Sequence, residues 1–464
     1  MAYAAYITTL KNVRPHPNAD RLLLADCFGN TVCVGLDYAE GELGIYFPTD
    51  GQLSEEFATV NNLVRKKDDA GNNIGGYMDP AKRNVQAIRL RGEKSDGLFM
   101  RLDCLEYTGV DISTFKPGDQ ITVVNGHEIC QKYIPRRNPS RNHVSWNKTR
   151  KKKTPIAPLF AEHADTEQLA YNLGAFKVGD QIEITLKMHG TSQRTGYLPV
   201  LKGYKRSLLD RLLRREGTPI YDWGYVSGTR RTVLENYDGG YYGSNEFREE
   251  HSKTFEGKLL KGETVYYEVV GFTSNGTSIM GECNNKKLND KEFVKQYGTT
   301  TVFSYGCSPT GTKTMWGEDE DGIYSLDVET PQSALYVYRM TMTNEDGDVV
   351  EYTPDFMRYR CEQMGVKTVP VFWKGYIPEH PASKDDPTIT AGEWVQNLAE
   401  RYYGGPDPIG KTHVREGVVV RIVSAPKFAA YKHKNFEFKV LEGIVKADAE
   451  APDMEEAESV QETI

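Results

Sequence analysis

A chain of 464 residues is long enough for two or three domains with sizeable cores. Hydrophobic residues make up 39% and charged residues 26%, a soluble globular balance, and no apolar run reaches membrane-spanning length. The net charge of −8 is unevenly placed, because seven acids and no base lie between Asp448 and Ile464. The rest of the chain is therefore close to neutral, and the overall acidity does not exclude a polyanionic partner. The seven cysteines are odd in number, widely spaced and free of any Cys-x-x-Cys, which argues for reduced thiols, a cytoplasmic setting and no zinc site. Met1 to Leu10 lacks a basic region before an apolar core, so it reads as a first strand rather than a signal peptide.

Residues 1–125 read as a small β domain. Short runs such as Thr31-Val32-Cys33-Val34 and Gly44-Ile45-Tyr46-Phe47 are separated by Gly, Asp and Asn, a pattern that predicts a barrel. His16-Pro17-Asn18-Ala19-Asp20-Arg21-Leu22 resembles the signature of OB-fold tRNA-binding modules, and Asp96-Gly97-Leu98-Phe99-Met100 resembles their later strand. On its own chemistry, His-Pro-Asn is also a rigid turn that caps a short segment.

Residues 126–165 form a basic linker or approach segment. Nine bases and no acid lie between Lys132 and Lys153, ending in Arg150, Lys151, Lys152 and Lys153. Pro135, Pro139 and Pro155 disfavour helix, and Tyr133 and Trp146 sit among the charges. Bases with interleaved aromatics fit a surface that tracks a nucleic-acid backbone, although a solvated loop has the same composition.

Residues 166–446 form a second domain, and 447–464 an acidic, disordered tail. In Gln181-Ile182-Glu183-Ile184-Thr185-Leu186-Lys187, apolar and polar residues alternate with period two, predicting a half-buried strand with Lys187 at its end on the open face. Gly190 then permits a tight turn beside a ligand, and Arg194 lies just beyond. Arg206 to Arg215 reads as a basic surface helix packed by its leucines. Downstream, Ser227-Gly228-Thr229-Arg230-Arg231 is a turn delivering two arginines. Thr264 to Gly271 is an apolar strand holding one carboxylate, Glu268, and Leu335 to Thr341 is a strand with Tyr336 and Tyr338. Arg415-Glu416-Gly417-Val418-Val419-Val420-Arg421 is a further strand, and Tyr431-Lys432-His433-Lys434 puts two lysines on one strand face.

In this order and spacing, the fragments resemble the motif set of the covalent nucleotidyltransferases, the superfamily of ATP-dependent DNA and RNA ligases and mRNA capping enzymes. Lys187 to Gly190 is similar to motif I, the Arg230 turn to motif Ia, the Glu268 strand to motif III and the Tyr338 strand to motif IIIa. Glu416-Gly417 is similar to motif IV and Lys432-x-Lys434 to motif V. An OB-like module before such a domain resembles the nick-sealing RNA ligase branch. His189 stands where DNA ligases and capping enzymes usually carry Asp. Phe436-Glu437-Phe438-Lys439 offers a second strand lysine for motif V, and residues 272–334 match no motif.

The resemblance implies an α+β protein: an N-terminal OB-fold β-barrel, then an ATP-grasp-like nucleotidyltransferase domain of antiparallel sheets with flanking helices. It implies an ATP-dependent RNA ligase that joins 3′-OH and 5′-phosphate ends, at nicks in duplex RNA or an RNA/DNA hybrid, through a lysyl-AMP and an AMP-capped 5′ end. Lys187 is then the nucleophile, with Arg194, Arg230, Glu268, Tyr338, Glu416, Lys432 and Lys434 around the nucleotide. Glu416 holds Mg²⁺ or Mn²⁺, a pairing suited to a hard cation that keeps several waters. Arg150 to Lys153 contact nicked or broken RNA, and neither a membrane nor an obligate protein partner is implied. An unperturbed lysine is protonated at neutral pH, its pKa being about 10.4. Arg194, Lys432 and Lys434 are expected to lower that pKa and to offset charge on the phosphate oxygens. Three alternatives stay open: a DNA ligase, a capping guanylyltransferase and a non-catalytic RNA-binding protein.

Overall fold

A computed structural model describes residues 3–71, 73–134, 154–213, 217–234, 237, 245–319, 322–382 and 387–447. Arg150, Lys151, Lys152 and Lys153, most of the basic run around them and the acidic segment from 448 onward lie outside these residues. The described chain is mixed α/β, rich in strands with few helices, and divides into two units. The first comprises residues 1–136, 285–291 and 434–449, and the second residues 137–284, 292–433 and 450–464.

In the first unit, the antiparallel strands Leu98–Arg101, Leu43–Phe47, Ala5–Thr9 and Gln120–Ile121 form a sheet in that spatial order. A three-stranded sheet of Lys11–Pro15, Leu23–Cys27 and Asn30–Val34 accompanies it. Ile7, Ile45, Phe47, Phe57 and Leu105 are fully buried in the unit's core. The His-Pro-Asn stretch is a locked turn. His16 is buried, with one ring nitrogen 3.0 Å from the Leu90 carbonyl and the other accepting the Asn18 N–H at 3.1 Å. The helix Phe436–Ala447 belongs to this unit, and its Lys439 Nζ lies 2.6 Å from the buried Asp96 carboxylate. Lys439 is therefore a helical residue and not the strand lysine that Phe436-Glu437-Phe438-Lys439 suggests.

The second unit holds two five-stranded sheets. One has the order Glu167–Gln168, Ala430–Lys434, Gly417–Ile422, Gln181–Lys187, Val371–Tyr376. The other runs Thr218–Gly228, Thr191–Lys205, Glu263–Gly271, Ser333–Thr343, Val349–Glu351, antiparallel throughout. In the first sheet the period-two pattern becomes two faces. Ile182 and Ile184 are fully buried against Val418, Val420, Val395 and Leu398, while Glu183, Thr185 and Lys187 turn to the other side and line a cavity. Val395 and Leu398 come from the helix Ala391–Tyr403, which opens with a capping box between Thr390 and Glu393.

One reading of local structure changes. Among the described residues of the Arg206 to Arg215 stretch, Leu208–Leu212 is helical, and its Leu208 and Leu212 are 84% and 79% exposed, so these two leucines do not pack it.

Because Ile184 is fully buried beneath the lysine, truncation there removes packing without touching the cavity face. Ile184→Ala should destabilise the protein by about 2–5 kcal/mol, measured as a lowered denaturant midpoint at constant slope.

Candidate active site

Lys187 ends one sheet and Thr191 begins the other, so Met188-His189-Gly190 is the link between them. A cavity of about 880 Å³, counted to its open mouth, lies along this link. The first sheet gives it Glu183, Thr185, Lys187, Val419, Arg421 and Ala430, and the second gives Ser192, Glu268 and Tyr338. Gly190 explains why the link is so tight. A Cβ there would sit 2.7 Å from Val270 Cγ1 and 2.9 Å from Glu268 Cγ, and would collide with the Val269 carbonyl oxygen. The glycine is thus a close-approach residue that brings the lysine loop onto the Glu268 strand.

Lys187 Nζ lies 2.7 Å from Glu416 Oε1, with the two side chains 12% and 2% exposed. Strand register makes the pair, since Lys187 opposes Gly417, the residue after Glu416. The second Glu416 oxygen is 3.9 Å from His189 Nδ1. Glu268 is buried at the cavity wall and opposes Ser192 across the strands. The Ser192 hydroxyl is 2.8 Å from the Tyr338 hydroxyl, whose own pKa burial pushes up. Tyr338 packs against His163 with ring centroids 5.1 Å apart, and Phe428 joins them as a third aromatic wall, 6.0 Å from His163.

Other charges of the cavity are paired. Glu183 binds Arg358 at 2.8 Å, and Arg421 donates to the Tyr352 carbonyl at 2.8 Å while its guanidinium lies over Phe428. Arg230 lines the wall, 3.4 Å from Asp165. Ala430 lines the cavity too, so alternation puts Lys432 and Lys434 on the same face of their strand. Lys434 forms an ion pair with Glu442 at 2.8 Å.

Arg194 departs from its expected place. It is 1% exposed, with Nε on the Thr229 carbonyl at 2.9 Å and Nη1 on the Phe160 carbonyl at 3.0 Å and on Ala161. Its guanidinium is stacked on the Phe160 ring. It clamps the segment before the lysine strand to the second sheet and does not line the cavity. Sequence reasoning missed His163 and Phe428, which reach the cavity from segments outside regular elements, and Arg358, which reaches it from the helix Pro354–Met364. Glu183 was legible, because it shares the polar face of the strand with Lys187.

The chain shares its fold with solved RNA ligase structures. It is similar to a variant of Naegleria gruberi RNA ligase with AMP and Mn at a TM-score of 0.51 and 15% identity, covering 94% of this chain and 97% of that one. A lysine-to-alanine variant of the same ligase with ATP and Mn gives 0.50 at 14% identity, covering 95% and 98%. A second lysine-to-alanine variant with ATP and Mn gives 0.50 at 14%, covering 94% and 98%. No protein-family model matches the chain, and no curated protein matches its sequence. At this identity the likeness is one of fold, and it spans nearly the whole of both chains.

The close approach at Gly190 predicts the effect of one methyl group. Gly190→Ala should cost about 1–3 kcal/mol, because the neighbours it would strike are strand backbone and packed side chains. The check is the denaturation midpoint, with Gly174→Ala as control, since a Cβ at Gly174 meets nothing within 4 Å.

Proposed function

We propose that the protein is an ATP-dependent RNA ligase that works through a lysyl-AMP intermediate on Lys187. The observation that carries this reading is the Lys187–Glu416 pair at the junction of two sheets, beside a cavity lined by charged and aromatic side chains, in a fold shared with RNA ligase. The Lys187 amine attacks the α-phosphorus of ATP, forming a P–N bond as the bond to pyrophosphate breaks. A carboxylate 2.7 Å away favours the charged ammonium, so the amine must separate from Glu416 and lose its proton before it attacks. Glu268 is placed to accept a hydrogen bond from a ribose hydroxyl, and Tyr338, His163 and Phe428 offer aromatic faces to a base. AMP then passes to a 5′-phosphate, and a 3′-OH displaces it.

Among the described residues no group of three or more His, Cys, Asp or Glu side chains converges on a metal position. Glu416 would instead supply one hard carboxylate donor, which fits Mg²⁺ or Mn²⁺ held jointly by carboxylate and nucleotide phosphates, and the cation would supply positive charge against that growing on the phosphate oxygens. Arg230 and Lys432 are the basic residues of this unit that we assign to the phosphates, with Lys434 following Lys432 on the same strand face. The likeness to RNA ligase structures supports RNA over a DNA or capping substrate.

In the same reading, the first unit is an OB-fold module, supported by its small antiparallel sheets and its locked His16 turn, and it serves the polynucleotide with Arg150, Lys151, Lys152 and Lys153. The substrate is a nick in duplex RNA or an RNA/DNA hybrid. No helix among the described residues is long and apolar enough to cross a membrane. All seven cysteines are free thiols, which fits a cytoplasmic setting.

Incubation with α-labelled ATP and a divalent metal should leave label on the denatured protein, lost in acid as a phosphoramidate requires, and Lys187→Ala should abolish it. Glu268→Ala and Glu416→Ala should each lower labelling by roughly a hundredfold or more, with circular dichroism unchanged. Label from GTP alone would move the reading to a capping enzyme, and no label from either nucleotide would leave a binding protein.

The basic run is tested by substitution rather than by deletion of the first unit, because residues 434–449 pack within that unit. Replacing Arg150, Lys151, Lys152 and Lys153 by Ala should leave labelling of Lys187 intact. Sealing of nicked duplex RNA should fall sharply, and its remaining salt dependence should be shallower, since fewer counterions are released on binding. Equal loss of labelling and sealing would remove the nucleic-acid role of these residues.

A further inference from the structure

Residues 272–334 match no motif of the resemblance, yet part of this stretch reaches the lysine loop. Tyr305 is 2% exposed, and its hydroxyl accepts the backbone N–H of His189 at 2.7 Å. That N–H lies two residues after Lys187. Phe303 meets the His189 ring edge-on at 4.6 Å and the His413 ring at 5.2 Å. Tyr305 in turn meets His413 edge-on at 4.5 Å. His413 is fully buried and has one ring nitrogen 3.0 Å from the Val414 carbonyl; burial lowers its pKa, which keeps the ring neutral.

The loop that carries His413 is itself held firmly. The buried Asp407 carboxylate accepts the N–H groups of Ile409 at 3.2 Å, Gly410 at 2.5 Å and Lys411 at 3.0 Å. Gly410 lies so close to the Tyr305 loop that a Cβ there would come 2.6 Å from Gly306 N. Ser304 and Thr412 join the two loops with hydroxyls 3.2 Å apart. Tyr305 adopts φ +48°, a left-handed conformation unusual for a bulky residue, which the surroundings must sustain.

We propose that Tyr305 is a positioning residue for Lys187: its hydroxyl fixes the backbone of His189, and so the direction in which the lysine leaves its strand. The chemical consequence rests on the ligase reading above; the structural one does not. Two separate forces would otherwise let the link drift. Gly190 carries no side chain to restrict its backbone, and Met188-His189 lies past the end of the strand at Lys187. Tyr305 holds the His189 N–H from a loop braced on Asp407 and His413. In this view the motif-less stretch contributes the back wall of the nucleophile's seat.

The test is Tyr305→Phe, which keeps the ring and removes only the hydroxyl. Hydrogen exchange at the His189 amide should rise by about tenfold or more, since the bond that protects it is lost. The single-turnover rate of Lys187 adenylation should fall by roughly a hundredfold, as expected for a nucleophile allowed to wander by an ångström. The ATP KM should stay within about threefold, because the change affects attack and not ground-state binding. If the wild type forms no adenylate but Tyr305→Phe still deprotects His189, the ligase reading fails while the positioning role stands. Unchanged exchange, or a rate within about twofold of wild type, overturns the proposal. Should Tyr305→Phe not fold, Thr412→Val cuts only the bond between the two loops. Raised His189 exchange there supports the role, and unchanged exchange overturns it.

Discussion

The constraint on which this structure depends is the close approach at Gly190. The chain must leave one sheet at Lys187 and enter the other at Thr191 in three residues. It can do so only by laying Gly190 on the backbone of Val269. A wider link would let the two sheets separate along this edge. A side chain at Gly190 would push the lysine away from Glu268, the one carboxylate in a strand of otherwise apolar or uncharged residues after Glu263. The cavity is thus a consequence of how the chain changes sheets, and its polar groups come in two sets fixed by the pleat. Glu183, Thr185 and Lys187 alternate on one strand, Ser192 and Glu268 are register partners in the other sheet, and Tyr338 enters from the irregularity between Val337 and Arg339.

The second ordering force is electrostatic. Lys187 and Glu416 are both largely removed from water, where a charge is costly unless paired at short distance. The same rule holds nearby, where Glu183 is matched with Arg358, and Glu351 with Arg339 and Arg421. For the nucleotide proposed above, entry would exchange one set of ion pairs for another instead of meeting bare charge, whereas a neutral ligand of the same shape would leave the buried charges to their internal partners.

Much of this was legible in the sequence, and the failures have physical causes. Period-two alternation located Gln181–Lys187, and apolar runs located Glu263–Gly271 and Gly417–Ile422 to within two residues of their ends, because a strand buried on one face alternates and one buried on both reads as continuous apolar sequence. Phe436-Glu437-Phe438-Lys439 misled because four residues alternate equally well in a strand or in the first turn of a helix. The deciding signal was Asn435, whose side-chain oxygen accepts the Phe438 N–H at 3.2 Å as a helix cap does. Arg194 misled for another reason: a guanidinium after a Lys-x-x-Gly invites a phosphate, but its partners are carbonyls of Phe160 and Ala161, more than thirty positions earlier in the chain. No local pattern announces a contact of that kind. The exposed Leu208 and Leu212 show the limit of amphipathic reasoning, since a stripe predicts packing only if another element is there to receive it.

The substitution of His189 for the usual acid and the silence of residues 272–334 belong together. An aspartate at position 189 would bring a second carboxylate toward Glu416, whose nearer oxygen already lies 3.9 Å from the His189 ring, and like charges at that range oppose each other. Histidine instead presents an edge to Phe303, a residue from the stretch without motifs, while its backbone is held by Tyr305 from the same loop. An acid could not make that aromatic contact, and Phe303 and Tyr305 would have less reason to converge there. The histidine and the stretch without motifs are therefore one local solution: a loop of aromatic residues and the histidine that fits it, built around the same lysine.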